Sequence, residues 1–198
     1  MTFTLNLKLS VPNKIVLIGA STGGPGHIER IITQLPALTD TAVIIAQHMV
    51  DGFIPSFTSR LKEYSTNSIT MALNGAQLNP ANIYLCDGLT SVVKKDIHIC
   101  FDRKPSEAYN YNPDINTIFN SFVPFTNNME ILCLILTGIG EDGVDACKNL
   151  SLNGARTITE SKDSAIVDGM PCRARKEVPN IEVYDISDII TKVKEFCN

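Results

Sequence analysis

Short apolar runs that alternate with segments of helical periodicity are the feature that most constrains the fold of this chain. The apolar runs occupy residues 15–20, 42–47, 131–137 and about 155–159. The helical patterns occupy residues 25–35, 52–64, 114–123, 143–153 and 186–196. Because parallel strands are joined by long crossover connections, usually helices, this alternation predicts an α/β fold with a doubly wound, mostly parallel sheet flanked by helices.

Residues 69–101 depart from this alternation. Short β-rich pieces at 83–86 and 97–101 are punctuated by Asn-Gly, Asn-Pro and Asp-Gly dipeptides, which mark tight turns. We expect one or two antiparallel hairpins attached to the parallel sheet. The polar stretch 102–112, which contains Pro105, predicts an exposed loop before the next helix.

The length and charge of the chain limit its class. We expect residues 1–198 to form a single domain, with residues 1–13 as an extension before the first strand. The net charge is −4, and Lys and Arg form no basic stripe, so no nucleic-acid partner is expected. The apolar runs are far shorter than the roughly 20 residues of a membrane-spanning helix, and the N-terminus lacks the apolar block of a signal peptide. We therefore expect a cytoplasmic protein without membrane insertion. The sequence does not determine the oligomeric state, and a monomer is the favoured expectation.

Six cysteines are spread along the chain without a Cys-x-x-Cys pair. Structural zinc sites and redox pairs need that close spacing, so the thiols are expected to be buried or incidental. Nothing else in the sequence indicates a metal or an organic cofactor. Cys133 lies inside an apolar run and should be inert. Cys172 follows Gly-Met-Pro on a predicted loop and is the one thiol to test for reactivity.

A hydroxyl, an imidazole and a carboxylate each follow one of the apolar runs. Ser21 follows the first run, His48 the second and Asp142 the third. The carboxyl ends of parallel strands converge on one crevice in an open α/β sheet, so these side chains should lie close together. A nucleophilic hydroxyl, a base and a carboxylate that accepts the Nδ1 proton of the base are the ingredients of acyl-transfer catalysis.

Each of these residues also has a structural interpretation. Ser21 could cap the following helix, and its glycine-rich turn could bind an anion there, although it matches neither a dinucleotide fingerprint nor a P-loop. His48 could equally be a polar residue at the end of a strand without a catalytic role. His27 and His98 are the other histidines, and a structural role is favoured for both. Asp142 could cap the helix that follows it, and spacing does not separate it from Glu141 as the catalytic carboxylate.

Four motifs occur in order: Gly-Ala-Ser-Thr-Gly-Gly-Pro (19–25), Gln-His-Met (47–49), Leu-Thr-Gly-Ile-Gly-Glu-Asp-Gly (136–143) and Asp-Gly-Met-Pro (168–171). Together they resemble the catalytic domain of the chemotaxis protein-glutamate methylesterase (CheB) family, from about Lys14 to the C-terminus. The resemblance implies a doubly wound sheet with an added hairpin. It also implies hydrolysis of glutamate γ-methyl esters on the cytoplasmic helices of methyl-accepting chemotaxis receptors, releasing methanol, often with deamidation of certain receptor glutamines.

The resemblance also assigns roles. Ser21 becomes the nucleophile, His48 the base and Asp142, rather than Glu141, the carboxylate that orients the imidazole. The crevice should be open enough to accept a helix face, with the 102–112 loop and the 169–171 turn at its rim.

Four further residues form the expected oxyanion and substrate-binding set: Thr22, Gly23, Ile139 and Met170. We expect backbone amides near Thr22 and Ile139 to stabilise the oxyanion. The family usually has a methionine where Ile139 stands, but a backbone donor survives that change.

The chain departs from the family pattern in other places. Residues 50–52 read Val-Asp-Gly instead of Pro-Pro-Gly, and residues 112–116 read Asn-Pro-Asp-Ile-Asn instead of Arg-Pro-Ser-x-Asp. We expect the second change to alter substrate-side contacts without touching the triad. Many members carry an N-terminal receiver domain; if this chain is complete, it is open constitutively or regulated in trans. A silent receptor-binding module, a nucleotide-binding module and a glutamine deamidase are the alternative functions.

Overall fold

The computed structural model describes residues 11–50, 52–104 and 112–198. Within these ranges the β-strands are β1 (Lys14–Ala20), β2 (Thr41–Gln47), β3 (Ser68–Met71), β4 (Asn82–Leu85), β5 (Leu89–Lys95), β6 (His98–Lys104), β7 (Glu130–Ile135), β8 (Arg156–Glu160) and β9 (Glu182–Tyr184). The α-helices are α1 (Gly24–Thr33), α2 (Phe53–Tyr64), α3 (Ile115–Asn120), α4 (Val144–Leu152), α5 (Met170–Glu177) and α6 (Ile186–Cys197).

Seven strands form one parallel sheet in the order β3-β4-β2-β1-β7-β8-β9. The chain leaves β1 toward β2 on one side and later returns to β7 on the other side. Ligand crevices of doubly wound sheets lie at such a reversal, outside the carboxyl ends of the strands. The predicted α/β fold is confirmed, and its crevice lies at the ends of β1 and β7.

Side chains of β1 alternate between two cores, as the period of a strand requires. Ile15 and Leu17 face a core shared with α3, α4, α5 and the β5–β6 hairpin. Val16 and Ile18 face a second core shared with α1, α2 and α6. Because β1 is buried on both faces, its position at the centre of the sheet is strongly fixed.

The hairpin region differs from the sequence prediction in one respect. Among the residues that the structure describes, only β5 and β6 form an antiparallel hairpin. The run at 83–86 contributes β4 to the parallel sheet, between β3 and β2. Ile83, Tyr84 and Leu85 are all buried. Such a run, apolar on both faces, suits the interior of a parallel sheet better than a hairpin with one face in solvent.

Several boundaries also differ from the prediction. The helix α3 ends at Asn120 and is followed by a 3-10 turn at Val123–Phe125, while α5 and β9 were not predicted. Residues 102–104 belong to β6, and residues 105–111 of the predicted loop lie outside the described residues. No helix in the described ranges is long and apolar enough to cross a membrane.

Candidate active site

Ser21 lies in a sharp turn between β1 and α1. Its amide donates to the Thr137 carbonyl (3.0 Å), which ties the end of β1 to the segment after β7. Gly23 precedes α1 with φ 85°, and a Cβ there would meet the Cβ of Ile166 at 2.6 Å. Glycine is therefore required at this position for both backbone and steric reasons. No side chain caps α1, so the interpretation of Ser21 as a helix cap is wrong.

His48 follows β2, and its backbone is attached to the Ser21 turn. The His48 amide donates to the Ala20 carbonyl (2.9 Å). Gln47 Nε2 donates to the carbonyls of both Ser21 and His48 at 2.8 Å. One buried carboxamide thus links the backbones that carry the predicted nucleophile and the predicted base.

Asp142 completes the arrangement. Its Oδ2 lies 2.8 Å from His48 Nε2. Oδ2 also accepts a hydrogen bond from the Ile115 amide (2.8 Å), and Oδ1 accepts one from the Asn116 amide (3.0 Å). Asp142 is buried, with a relative exposure of 3%. The amides of the first two residues of α3 hold its carboxylate in place.

One sequence-based expectation needs correction at this carboxylate. The imidazole faces Asp142 with Nε2 rather than with the expected Nδ1. Residues 112–116 lie beside the proposed triad, because the amides of Ile115 and Asn116 donate to Asp142. Because these contacts are made by backbone amides, they do not depend on the side chains that differ from the family pattern.

The structure separates Asp142 from Glu141. Glu141 is exposed and pairs with Arg173 (2.9 Å) on α5. The residue before α4 is Gly143, which makes no side-chain cap. Asp142 therefore binds the start of α3 and His48, and it does not cap α4.

The Thr22 amide is oriented by the carbonyl of its own peptide unit. That carbonyl, of Ser21, accepts hydrogen bonds from Gly24 N (2.9 Å) and Gln47 Nε2 (2.8 Å). In a trans peptide the N–H points away from the C=O. Since the carbonyl is anchored to α1 and to Gln47, the N–H is turned to the opposite side.

Ile139 is arranged in the same way. The Gly138 carbonyl accepts from Gly169 N (3.1 Å) and Met170 N (2.9 Å) at the start of α5, which turns the Ile139 N–H away from α5. Neither the Thr22 amide nor the Ile139 amide donates a hydrogen bond to any described residue. Two preorganised donors are therefore available beside Ser21.

Ser21 and His48 line one open cleft of about 410 Å³. Its other lining residues are Thr22, Met49, Val50, Asn112, Ile139 and Gly140. An adjoining cavity of about 280 Å³ is lined by His48, Met49, Val50 and Phe53. The large apolar side chains of Val50, Phe53 and Ile139 are exposed around these openings.

Met170 lies behind this cleft. It is fully buried, and a Cβ on Gly138 would meet its Sδ at 2.4 Å and the Ser21 Cβ at 2.7 Å. Met170 begins α5, with Pro171 buried beside it, so it does not lie in a turn at the rim. Its burial favours packing behind Ser21 over the predicted contact with substrate.

The remaining sequence candidates lie outside the cleft. His27 is buried against Glu160, and His98 pairs with Gln77 near the hairpin. Cys172 lies in α5 and not on the predicted loop; it is partly exposed, while the other five cysteines are buried. No group of His, Cys, Asp and Glu suited to a metal ion occurs in the part of the chain that the structure describes.

Sequence reasoning missed Gln47 as part of the site. Its position in Gln-His-Met, directly before the predicted base, was the available signal. The pairing of its carboxamide with two carbonyls depends on the contact between β1 and β2, which the motif alone does not show.

Comparisons with known proteins agree with this geometry. A family model described as CheB methylesterase matches residues 16–193. The protein-glutamate methylesterase/protein-glutamine glutaminase of Caldanaerobacter subterraneus subsp. tengcongensis is 35% identical over 195 residues, covering 93% of this chain and 53% of the relative. The protein of the same description from Oceanobacillus iheyensis is 36% identical over 174 residues, covering 85% of this chain and 49% of the relative.

A solved structure supports the same relationship. The crystal structure of the Thermotoga maritima CheB methylesterase catalytic domain aligns with a TM-score of 0.84 and 27% identity, covering 93% of this chain and 99% of that one. The chain spans about half the length of the curated relatives that it matches. Because the family model matches residues 16–193, nearly the whole chain, the chain belongs to the CheB methylesterase family.

Proposed function

We propose that this chain is a cytoplasmic serine hydrolase that demethylates glutamate γ-methyl esters on chemoreceptor cytoplasmic helices and releases methanol. The observation that carries the proposal is the hydrogen bond of 2.8 Å between His48 and Asp142, at the edge of the cleft that Ser21 lines. Family membership and the names of the relatives support the choice of ester.

In the proposed mechanism Ser21 Oγ attacks the ester carbonyl carbon while His48 Nδ1 takes its proton. Asp142 holds the imidazole through Nε2 and stabilises the positive charge that forms on it. The tetrahedral intermediate collapses with cleavage of the bond to the methoxy oxygen, which takes the proton from His48 and leaves as methanol. Water then attacks the acyl-serine with His48 as base, releasing the glutamate side chain and regenerating Ser21.

The amides of Thr22 and Ile139 are proposed to bind the oxyanion. Donors fixed in advance toward developing charge lower the barrier because they need no reorganisation during the reaction, and one such donor typically contributes about 100- to 1,000-fold in rate. In this chain the orientation of each amide is fixed because the carbonyl of the same peptide unit accepts two hydrogen bonds from neighbouring groups.

The shape of the cleft supports a protein substrate. The cleft is open, and it continues into the apolar cavity beside Met49, Val50 and Phe53. A receptor helix could place an esterified glutamate over Ser21 and a neighbouring apolar side chain against that cavity. Exposed apolar surface of this kind is typical of interaction sites.

Deamidation of receptor glutamines is a second candidate activity, because the relatives are named as glutaminases as well as methylesterases. The acyl-serine is the same in both reactions. The leaving group is ammonia instead of methanol, so the two products separate the activities.

Methanol release from methylated chemoreceptor membranes tests the proposal. The wild type is compared with Ser21→Ala and with Ser59→Ala, a control on the exposed side of α2. We expect release from the wild type and the control and none from Ser21→Ala. Release of ammonia alone would indicate a deamidase, and a folded wild type that releases neither product would favour the silent receptor-binding module.

A further inference from the structure

Two carboxylate side chains are buried among the described residues, and the proposed mechanism uses only one of them. Asp142 belongs to the triad, whereas Glu160, at the end of β8, has a relative exposure of 0%. A carboxylate withdrawn from water needs several hydrogen-bond donors. The identity of these donors indicates what Glu160 does.

The Glu160 carboxylate has three partners from three parts of the fold. His27 Nδ1 on α1 lies 3.2 Å from Oε1 and 3.3 Å from Oε2. The Thr137 amide donates to Oε2 (3.0 Å), and the Ser164 hydroxyl donates to Oε1 (2.7 Å). The carboxylate therefore joins the start of α1, the segment after β7 and the segment after β8.

Thr137 carries this connection to both residues at the proposed reaction centre. Its carbonyl accepts the Ser21 amide (3.0 Å), and its hydroxyl donates to the Thr22 carbonyl (2.9 Å). Glu160 accepts a hydrogen bond from the Thr137 amide. Thr137 in turn binds the Ser21 amide and the Thr22 carbonyl, which lie on either side of the Thr22 amide, the proposed oxyanion donor.

This placement is not explained by stability alone. A buried ion pair or carboxylate network is weak evidence for stabilisation, because desolvation offsets much of the attraction between the groups. Two of the three partners of the Glu160 carboxylate connect it to the turn and helix that follow β1. Thr137 contacts the turn, and His27 belongs to the helix. A positioning role accounts for that direction.

We propose that Glu160, oriented by His27, is a positioning residue that holds Ser21 and the Thr22 amide in their reactive geometry through Thr137. The inference rests on the proposed function, since it requires Ser21 to be a nucleophile. It does not require the substrate to be a receptor ester.

The test uses a fluorophosphonate probe, which needs no receptor. The reaction forms a bond between Ser21 Oγ and phosphorus and breaks the P–F bond, while the serine proton leaves with fluoride through His48. We expect Glu160→Ala to lower the maximal labelling rate about 10- to 100-fold, with little change in the probe concentration giving half that rate, because small displacements of reacting groups have effects of this size. Glu160→Gln should recover most of the rate, since its amide oxygen still accepts the Thr137 amide.

Two controls separate positioning from loss of a buried contact. Ser164→Ala removes a partner of Glu160 on the side away from Thr137, and Glu182→Ala breaks the ion pair with Arg156 (2.6 Å) farther along the sheet. Both should lower the melting temperature yet label at close to the wild-type rate. Folding of each variant is checked by circular dichroism at the assay temperature.

The outcomes are distinct. A folded Glu160→Ala variant that labels as fast as the wild type overturns the inference and leaves the proposed function intact. Equal slowing in Glu160→Ala and Glu160→Gln also overturns it, because the acceptor for Thr137 would then not be the cause. If Glu160→Ala does not fold, Thr137→Val decides, since it removes the hydroxyl that binds the Thr22 carbonyl, together with the contacts of that hydroxyl to Val167. A wild-type rate in that variant contradicts the inference. A wild type that labels at Ser21 but releases no methanol would instead count against the proposed substrate.

Discussion

The Asp142 Oδ2 atom accepts a hydrogen bond from the Ile115 amide at 2.8 Å while it faces His48 Nε2 at the same distance. The start of α3 therefore fixes the carboxylate that fixes the imidazole. This relationship explains how the side chains of residues 112–116 can differ from the family pattern while the proposed triad remains assembled.

Replacing Asp142 by Asn should leave the protein folded and lower kcat by about 10³- to 10⁴-fold. The Asn NH₂ group must face either His48 Nε2 or the amides of α3, and all of these groups donate hydrogen bonds to Asp142 in the present arrangement. When the NH₂ group faces His48, the imidazole adopts the wrong tautomer. Methanol release measures the effect, with Asp145→Asn on the exposed face of α4 as control. An Asp142→Asn variant within tenfold of the wild type would contradict the assigned role.

Gln47→Leu should lower both activity and stability. The substitution leaves the Ser21 carbonyl with one donor fewer and removes the Gln47 donor of the His48 carbonyl, and a buried polar group without a partner costs about 1–3 kcal/mol. We expect kcat to fall about 10- to 100-fold because the Thr22 amide loses part of its orientation. The control is Gln34→Leu at the exposed end of α1, and equal kcat in the two variants would exclude this role for Gln47.

Gly143 and Gly154 offer a matched pair of substitutions. Both have left-handed backbone, with φ 88° and 92°, but a Cβ on Gly143 would meet Ile115 Cγ2 at 2.5 Å, whereas a Cβ on Gly154 meets nothing within 4 Å. Alanine at either position should lower the free energy of unfolding by about 1–3 kcal/mol through backbone strain. Only Gly143→Ala should also lower kcat, since it displaces the residue whose amide holds Asp142.

Urea unfolding and methanol release on the same preparations measure the two effects. Loss of activity in Gly154→Ala as large as in Gly143→Ala would show that general destabilisation, and not the position of Ile115, is responsible.

Alkylation of the native protein should modify Cys172 before any other thiol. Burial raises the pKa of the Cys133 thiol well above its usual range and raises the pKa of Cys197 to about 11. At pH 8 the fraction of reactive thiolate at these positions is therefore very small, whereas Cys172 is partly exposed. Peptide mapping after brief treatment with iodoacetamide measures the order, and early modification of Cys133 or Cys197 would contradict it.

The sequence predicts the sheet and the meeting of Ser21, His48 and Asp142 because both follow from local patterns. Continuous apolar runs indicate buried parallel strands, and polar residues directly after such runs must lie at one edge of the sheet. The choice between Asp142 and Glu141 does not follow from spacing. It depends on the approach of α3, which brings the Ile115 amide to Asp142.

Contacts between elements distant in the chain escape sequence reasoning. Glu160 lies 133 positions from His27, and nothing in either local pattern indicates that they pair. The motif around His48 likewise does not indicate which ring nitrogen faces Asp142. The position of β4 was misjudged because turn dipeptides mark chain reversals without showing which strands then pair.

The most direct test of the account is the rate and site of fluorophosphonate labelling in the wild type and in His48→Gln, located by peptide mass spectrometry. The account predicts a single adduct on Ser21 in the wild type and labelling slowed by at least about 100-fold in His48→Gln, since removal of the general base alone accounts for that much. An adduct on another residue, or equal labelling of Ser21 in both proteins, would contradict the proposed catalytic pair.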